Sequence, residues 1–287
     1  MNIDSMEYIA PNSLQEITKL LKRLKGKGKL IAGGTNLIPD LRARKIQPQV
    51  LIDLSHLKEI SYIKEGKGRI RIGWLTLITE LAASKIIRKI APVLAEAADQ
   101  LGNPLVRNRA TIAGNLAHAS PAADTAVPLL ALEATLVVAK DGTSRQVPIE
   151  QFFRGPNRTV LKAGEIIKEI SFEKPASVAR MSYSKLGRRS AMAISVASVS
   201  VLLEMENGKC KKARIGLGAV APKPVRAYGV EKILEGKEIT EKVIGECCEQ
   251  VQREIRPITD IRASAEYRRE ITSVLLKRLI QQVAFGD

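Results

Sequence analysis

KLIAGGTNLIPDLR, residues 29–42, runs from a short apolar segment straight into two glycines, a threonine and an asparagine. An apolar run closed by small residues reads as a strand ending in a tight turn. Upstream, SLQEITKLLKRL (13–24) has a capping-box start at Ser13, with Glu16 three residues on, then apolar residues at helical spacing. That pattern predicts a helix over about residues 14–25. Downstream, LIPDLRAR predicts a helical turn that Pro39 keeps short, and VLIDLS (50–55) predicts a second strand. Residues 1–57 therefore read as a small α/β subdomain with the glycine turn at a strand end. The turn either only reverses the chain or also offers its backbone amides to an anion.

A second segment of the same style lies at RNRATIAGNLAHASPAAD, residues 107–124. It falls in a second subdomain, 58–174, with strands predicted at GRIRIGW (68–74) and GEIIKEISFEKP (164–175). Between them TLITELAAS (76–84) predicts a helix capped by Thr76, and Pro92 suits the first turn of another. ATLVVAK, Asp141-Gly142 and TSRQVPI form a hairpin pattern. Residues 175–287 predict strands at MSYSKLG, AISVASVSVLLEM and KARIGLGAV, with an Asn207-Gly208 turn between the last two. Helices are predicted at 225–236, 240–253 and about 264–284, so this third unit is an α+β module.

Composition narrows the chemistry. The chain has 287 residues, 45% of them hydrophobic and only 3% aromatic, so aliphatic side chains must fill its core. The longest apolar run, Ala126 to Ala139, is broken by Pro128 and Glu133 and is shorter than the ~20 residues of a membrane helix. MNIDSMEYIAP has no secretory core, and a cytoplasmic location is the expectation. Cys210, Cys247 and Cys248 form no CxxC pair, and His56 and His118 are the two histidines, so no metal site is expected in this chain. The net charge is +16, yet clusters such as KRLKGKGK (22–29) and YRRE (267–270) are short, scattered and without stacking aromatics. That pattern fits solvated faces or an acidic protein partner better than nucleic acid.

The chemical candidates are the two glycine motifs, Ala32-Gly33-Gly34-Thr35-Asn36 and Thr111-Ile112-Ala113-Gly114-Asn115. Gly33, Gly34 and Gly114 allow backbone conformations or close approaches that a Cβ would block. Successive amides in such turns form nests for phosphate oxygens, and the Thr and Asn side chains add uncharged donors. Neither motif is GxxxxGK[ST] or GxGxxG, which sets aside the P-loop and Rossmann readings. Arg107 and Arg109 flank the second motif, either as phosphate partners or as turn-bracing side chains. His118 has no obvious nucleophile beside it and is assigned to packing or hydrogen bonding.

Taken together, AGGTNLIPDLR and RNRATIAGNLAHASPAAD resemble the FAD-binding medium subunit of the molybdenum hydroxylases, the xanthine dehydrogenase, aldehyde oxidoreductase and aerobic carbon monoxide dehydrogenase group. GEIIKEI, SYSKLGRRSAMA and IGLGAVAPKPVRA extend the likeness along essentially the whole chain. The resemblance implies an α+β architecture: a two-subdomain FAD-binding fold of the para-cresol-methylhydroxylase (vanillyl-alcohol-oxidase-like) type, then a small domain with an antiparallel sheet and helices. It implies that residues 32–36 and 111–115 hold the FAD pyrophosphate. Where the family often has Gly-Gly-Asn this chain has Ala113-Gly114-Asn115, which fits if residue 113 takes ordinary φ. Asp124 matches an acid that contacts the ribityl hydroxyls, Ile167 an apolar residue near the flavin, Lys185 a cation near the isoalloxazine and Met192 a residue beside the ring.

By the same resemblance the chain is an electron-transfer subunit. Substrate is hydroxylated at a molybdenum-pterin in a large partner subunit, and electrons cross two [2Fe–2S] clusters of a small partner to FAD. They then leave to NAD, quinone or oxygen. A dimer of heterotrimers is the implied assembly, with an aldehyde, carbon monoxide or a purine or other N-heterocycle as substrate. Two further readings are a free-standing FAD-dependent oxidase or dehydrogenase, for which no catalytic residues stand out, and a basic nucleic-acid-binding module.

Overall fold

The computed structural model describes residues 6–57, 60–140, 142–189 and 192–286. Its first unit holds β1 (Glu7–Ile9), α1 (Leu14–Leu24), β2 (Gly28–Ile31), α2 (Leu37–Arg42) and β3 (Val50–Asp53). The strands form a parallel sheet in the order β1-β3-β2. Ser13 Oγ accepts from Glu16 N at 3.2 Å, while Glu16 Oε2 accepts from Asn12 N at 2.9 Å, one residue earlier than a strict capping box. The register sets Ile31 beside Asp53, so the glycine turn leaves the carboxyl end of the sheet, where open α/β sheets leave room for ligands.

The second unit follows as β4 (Ile63–Gly66), β5 (Arg69–Gly73), α3 (Ile78–Ala83), α4 (Lys85–Ile90), α5 (Pro92–Asp99), α6 (Pro104–Arg107), α7 (Ile112–His118) and α8 (Ala126–Ala131). It continues with β6 (Thr135–Lys140), β7 (Thr143–Pro148), α9 (Ile149–Phe152), β8 (Phe153–Gly155), β9 (Arg158–Thr159) and β10 (Ile166–Glu173). Five strands make an antiparallel sheet, β4-β5-β10-β6-β7, and β8 pairs with β9 separately. In the β6–β7 hairpin Gly142 has φ +79°, as its turn position requires, while Asp141 lies outside the described residues. Thr76 is not the cap of α3. That helix starts one residue later, with Glu80 Oε2 accepting from Leu77 N at 2.8 Å. The Thr76 hydroxyl instead accepts from Tyr62 N at 3.2 Å and donates to Tyr62 O at 3.1 Å.

The third unit is an antiparallel sheet of β11 (Ala179–Leu186), β12 (Ala197–Glu206), β13 (Lys209–Gly218) and β14 (Val225–Arg226), backed by α10 (Tyr228–Leu234), α11 (Glu241–Glu254) and α12 (Ala265–Phe285). Asn207 and Gly208 both take positive φ, +52° and +78°, the mirror turn that joins twisted antiparallel strands. The helix expected from 225 begins at Tyr228, because Val225 and Arg226 pair with Leu217 and Gly216 as β14. Among the described residues no helix is long and apolar enough to cross a membrane.

Two apolar cores result, one beneath the first two sheets and one between the third sheet and its helices. Every residue of α8 is buried, and the helix lies against β12 and β13. Two glycines let it approach: a Cβ on Gly216 would stand 2.2 Å from Val127 O, and one on Gly218 would stand 2.6 Å from Val127 Cγ2. Just past α8, Glu133 pairs with Lys212 at 3.0 Å, Arg214 at 2.9 Å and Arg226 at 2.9 Å, tying the second unit to the third sheet.

Three stability predictions arise at these places. Gly216→Ala forces α8 off the sheet and should cost about 1–3 kcal/mol in denaturant unfolding. Gly245→Ala, on the exposed face of α11 with nothing within 4 Å of the new methyl, should stabilise by about 0.5–1 kcal/mol. Burial disfavours ionised Glu133, but Lys212 and Arg214 outweigh it and hold its carboxyl down at about 2 against an ordinary 4.5. Its contribution is therefore complete above pH 4.5 and is lost as pH falls toward 2. Thermal midpoints across that range should fall more steeply for the natural chain than for Glu133→Gln.

Candidate functional site

The turn at 32–36 is shaped by its two glycines in different ways. Gly34 has φ +72°, and the side chains of Ile38 and Ile31 lie 3.1 and 3.3 Å from where its Cβ would be. Gly33 does not take positive φ; its need is space. An added Cβ would sit 1.8 Å from Arg109 O and 3.0 Å from Ala110 Cα. The first glycine motif is thus pressed, backbone against backbone, onto residues 109–110, which lead into the second. Gly34 O and Asn36 O accept from Ile38 N and Asp40 N at 2.9 and 3.1 Å, leading the chain into α2. Among the described residues, no protein atom accepts from the amides of Gly33, Gly34, Thr35 or Asn36.

The second motif is built differently from the expected amide nest. Thr111 caps α7, so Ile112, Ala113, Gly114 and Asn115 are its first helical residues. Ile112 N donates to Thr76 O at 3.0 Å, Ala113 N to Trp74 O at 3.4 Å, Gly114 N to Thr111 Oγ1 at 3.1 Å and Asn115 N to Thr111 O at 3.0 Å. All four amides are engaged within the protein. Ala113 takes helical φ, which is why a methyl is accepted there. Gly114 is exposed, and its absent Cβ would meet Thr111 Oγ1 at 2.8 Å. Asn115 Oδ1 accepts from the buried Thr125 hydroxyl at 2.6 Å.

Asp124 and Lys185, distant in sequence, come together. Lys185 Nζ donates to Asp124 Oδ2 at 2.9 Å, with both side chains over 90% buried, and also faces Ala193 O at 3.4 Å. Ser195 Oγ at 2.9 Å and Tyr183 Oη at 3.2 Å donate to Asp124 Oδ1. Burial pushes the Asp124 carboxyl above its ordinary range in spite of Lys185 and these hydroxyls, and burial beside that carboxyl pushes the Tyr183 phenol up as well. Glu96 on α5 accepts from Tyr183 N at 2.9 Å and covers this edge of the third sheet. Sequence reading missed Tyr183, Ser195 and Glu96. The alternation of a strand, which puts Tyr183 and Lys185 on one face, was the signal for the first of them.

The remaining candidates lie around this centre. Ile167 is 3% exposed in β10, beside a bulge and opposite Val138, and α7 packs on that strand. Met192 has φ +53° and is exposed; its amide donates to Gly102 O at 3.3 Å, and Asn103 Nδ2 reaches its sulfur at 3.2 Å. Arg107 braces its own turn through Leu101 O at 3.2 Å, whereas the Arg109 side chain is exposed. His118 is half-buried, its carbonyl accepting from Asn157 Nδ2 at 2.9 Å, and burial lowers its imidazole pKa.

Against known proteins, residues 4–175 match the family described as FAD binding domain in molybdopterin dehydrogenase. Residues 182–283 match the CO dehydrogenase flavoprotein C-terminal domain. The glyceraldehyde dehydrogenase medium chain of Sulfolobus acidocaldarius is 33% identical over 278 residues, spanning 96% of this chain and 98% of that one. A solved carbon monoxide dehydrogenase from Hydrogenophaga pseudoflava superposes with a TM-score of 0.94 at 33% identity, covering 98% of this chain and 97% of the other. Quinoline 2-oxidoreductase from Pseudomonas putida 86 gives 0.93 at 29%, covering 100% and 99%.

Fold and comparisons together define a flavoprotein subunit of a multi-subunit oxidoreductase, with a two-subdomain FAD-binding fold of the vanillyl-alcohol-oxidase-like type followed by a small β-rich domain. The chain belongs to the FAD-binding medium subunits of the molybdenum hydroxylase family, where it serves in electron transfer.

The buried pair can be tested directly. Lys185→Met strands the Asp124 carboxyl and should cost about 3–5 kcal/mol in denaturant unfolding, whereas Lys185→Met with Asp124→Leu should recover most of the loss.

Proposed function

We propose that the Gly33–Asn36 turn carries the flavin diphosphate on its backbone amides, and that the second motif serves chiefly as the wall that fixes this turn. The observation behind the assignment is the closeness at Gly33 together with four neighbouring amides that have no acceptor among the described residues. A donor set of neutral amides suits a dianionic diphosphate, since each bond to a charged oxygen is stronger than one to a neutral acceptor. In this reading exposed Gly114 would leave the start of the second motif open to the same ligand.

FAD, when bound, supplies two-electron chemistry coupled to single-electron exchange. The chain's own residues orient and tune. Asp124 accepts hydrogen bonds from ribityl hydroxyls, and Ser195 and Tyr183 keep its carboxylate aimed. Lys185, neutralised in part by Asp124, sets a cation near the ring that favours added negative charge. Ile167 supplies an apolar wall, and Met192 stands at the exposed rim.

In this reading the [2Fe–2S] clusters and the molybdenum-pterin reside in a small and a large partner subunit, within a dimer of heterotrimers. The complex oxidises a small molecule of the aldehyde, carbon monoxide or N-heterocycle class and passes electrons to NAD, a quinone or oxygen. The relatives named above support that range, because their names span an aldehyde, carbon monoxide and an N-heterocycle.

The purified chain should bind FAD, read as flavin absorbance per protein after equilibrium dialysis. Gly34→Val, which strains the turn, should weaken FAD by about tenfold or more, the loss of one good charged hydrogen bond. Asn36→Ala, which keeps every amide, should retain most of the affinity. Equal losses in both variants would count against recognition through the backbone.

A further inference from the structure

Arg268, near the start of α12, is 3% exposed, and most of its hydrogen bonds go to backbone rather than to a carboxylate. Nη1 donates to Val196 O at 2.7 Å and to Ala219 O at 2.9 Å, while Nη2 donates to Asp260 Oδ1 at 2.8 Å. Nε is buried and has no partner among the described residues. Stability alone does not account for such a residue. A well-packed apolar side chain often replaces a buried charge at no loss, and a stranded donor adds a cost.

The two carbonyls show what the guanidinium holds. Val196 immediately precedes β12, and Ala219 immediately follows β13. The ladder between these strands ends at Ser198 and Gly218, and Arg268 bridges the two chains just beyond it. From there each chain leads to Asp124. Ser195, next to Val196, donates to Asp124 Oδ1 at 2.9 Å. The Val196 amide donates to Leu186 O at 2.7 Å, beside Lys185, whose Nζ donates to Asp124 Oδ2 at 2.9 Å. Ala219 has φ +63°, a left-handed conformation uncommon for a residue with a Cβ. Its amide donates at 2.8 Å to the carbonyl of Pro121, three residues before Asp124. Supports that reach one carboxylate from separate segments thus converge on one guanidinium, whose planar fork fixes direction as well as distance.

We propose that Arg268 is a positioning residue of the flavin site. By clamping the ends of β12 and β13 it keeps Ser195, Lys185 and residues 121–124 in place around Asp124. The inference rests on the reading of Asp124 as a ribityl contact and supplies the device that aims it. Its influence belongs to the ribityl end of the ligand and leaves the Gly33–Asn36 turn unaffected.

The test measures FAD binding to the full-length chain by flavin fluorescence, and ADP binding by competition. ADP shares the diphosphate but has neither ribityl chain nor ring. Arg268→Met should weaken FAD about tenfold, and Arg268→Lys, which keeps the charge without the fork, about threefold. Both should change ADP by less than about twofold, whereas Gly34→Val should weaken both ligands. Arg226→Met, which removes a comparably buried guanidinium that pairs with Glu133 and Glu231 instead, should leave both affinities within about twofold. Adding Ser195→Ala to Arg268→Met should weaken FAD little further, because the two act in one chain of contacts. Unchanged FAD affinity in every Arg268 variant that folds would overturn the proposal. So would equal weakening of FAD and ADP, which marks a role in the fold alone, or full additivity with Ser195→Ala. Asp124→Asn tells the two readings apart. If it leaves FAD affinity unmoved, the ribityl reading falls and this proposal with it; if it weakens FAD while the Arg268 variants do not, this proposal alone falls.

Discussion

The contact between Gly33 and the carbonyl of Arg109 is the constraint on which the site depends. It joins a strand-end turn of a small parallel sheet to the entrance of α7, which belongs to another sheet altogether. Side chains cannot interdigitate at that distance, so the two backbones define each other's position. Among the described residues, the turn's own amides have no protein acceptor. A rigid wall behind a row of free donors is what a backbone nest for an anion requires.

The charged centre follows the opposite logic. Asp124 and Lys185 are buried together, and a buried pair is stable only when its remaining lone pairs and protons are used. Ser195 and Tyr183 use those of Asp124, and Glu96 in turn anchors the Tyr183 amide. Three elements, α5, β11 and the segment before β12, are thus fixed around one carboxylate. The centre is an assembly of long-range contacts, whereas the glycine turn is local to a few residues.

That difference explains what could be read from the chain. The capping-box start at Ser13, the Asn207-Gly208 hairpin and the alternating strands are local patterns, and each appears where expected. The turn at Gly33-Gly34 was legible because glycine has few other reasons to double up after an apolar strand. Thr76 misled, since a threonine before an apolar helix usually caps it, and only the folded chain brings Tyr62 into reach of its hydroxyl. TIAGN likewise looked like a loop, although Thr111 followed by Gly114 is the spacing of an N-cap and its acceptor amide. Ser195 had no local signal at all, because its partner lies on a different sheet's connection.

The seam at α8 has a consequence for how such subunits could be rebuilt. A helix with all six residues buried and its Val127 carbonyl lodged over Gly216 has no solvent-ready face. Cutting the chain after β10 would lay that apolar helix bare on one fragment and the glycine-lined trough on the other. Chimeras that exchange the carboxy-terminal portion between relatives therefore inherit a fitting problem at Val127, Gly216 and Gly218 before any question of electron flow arises.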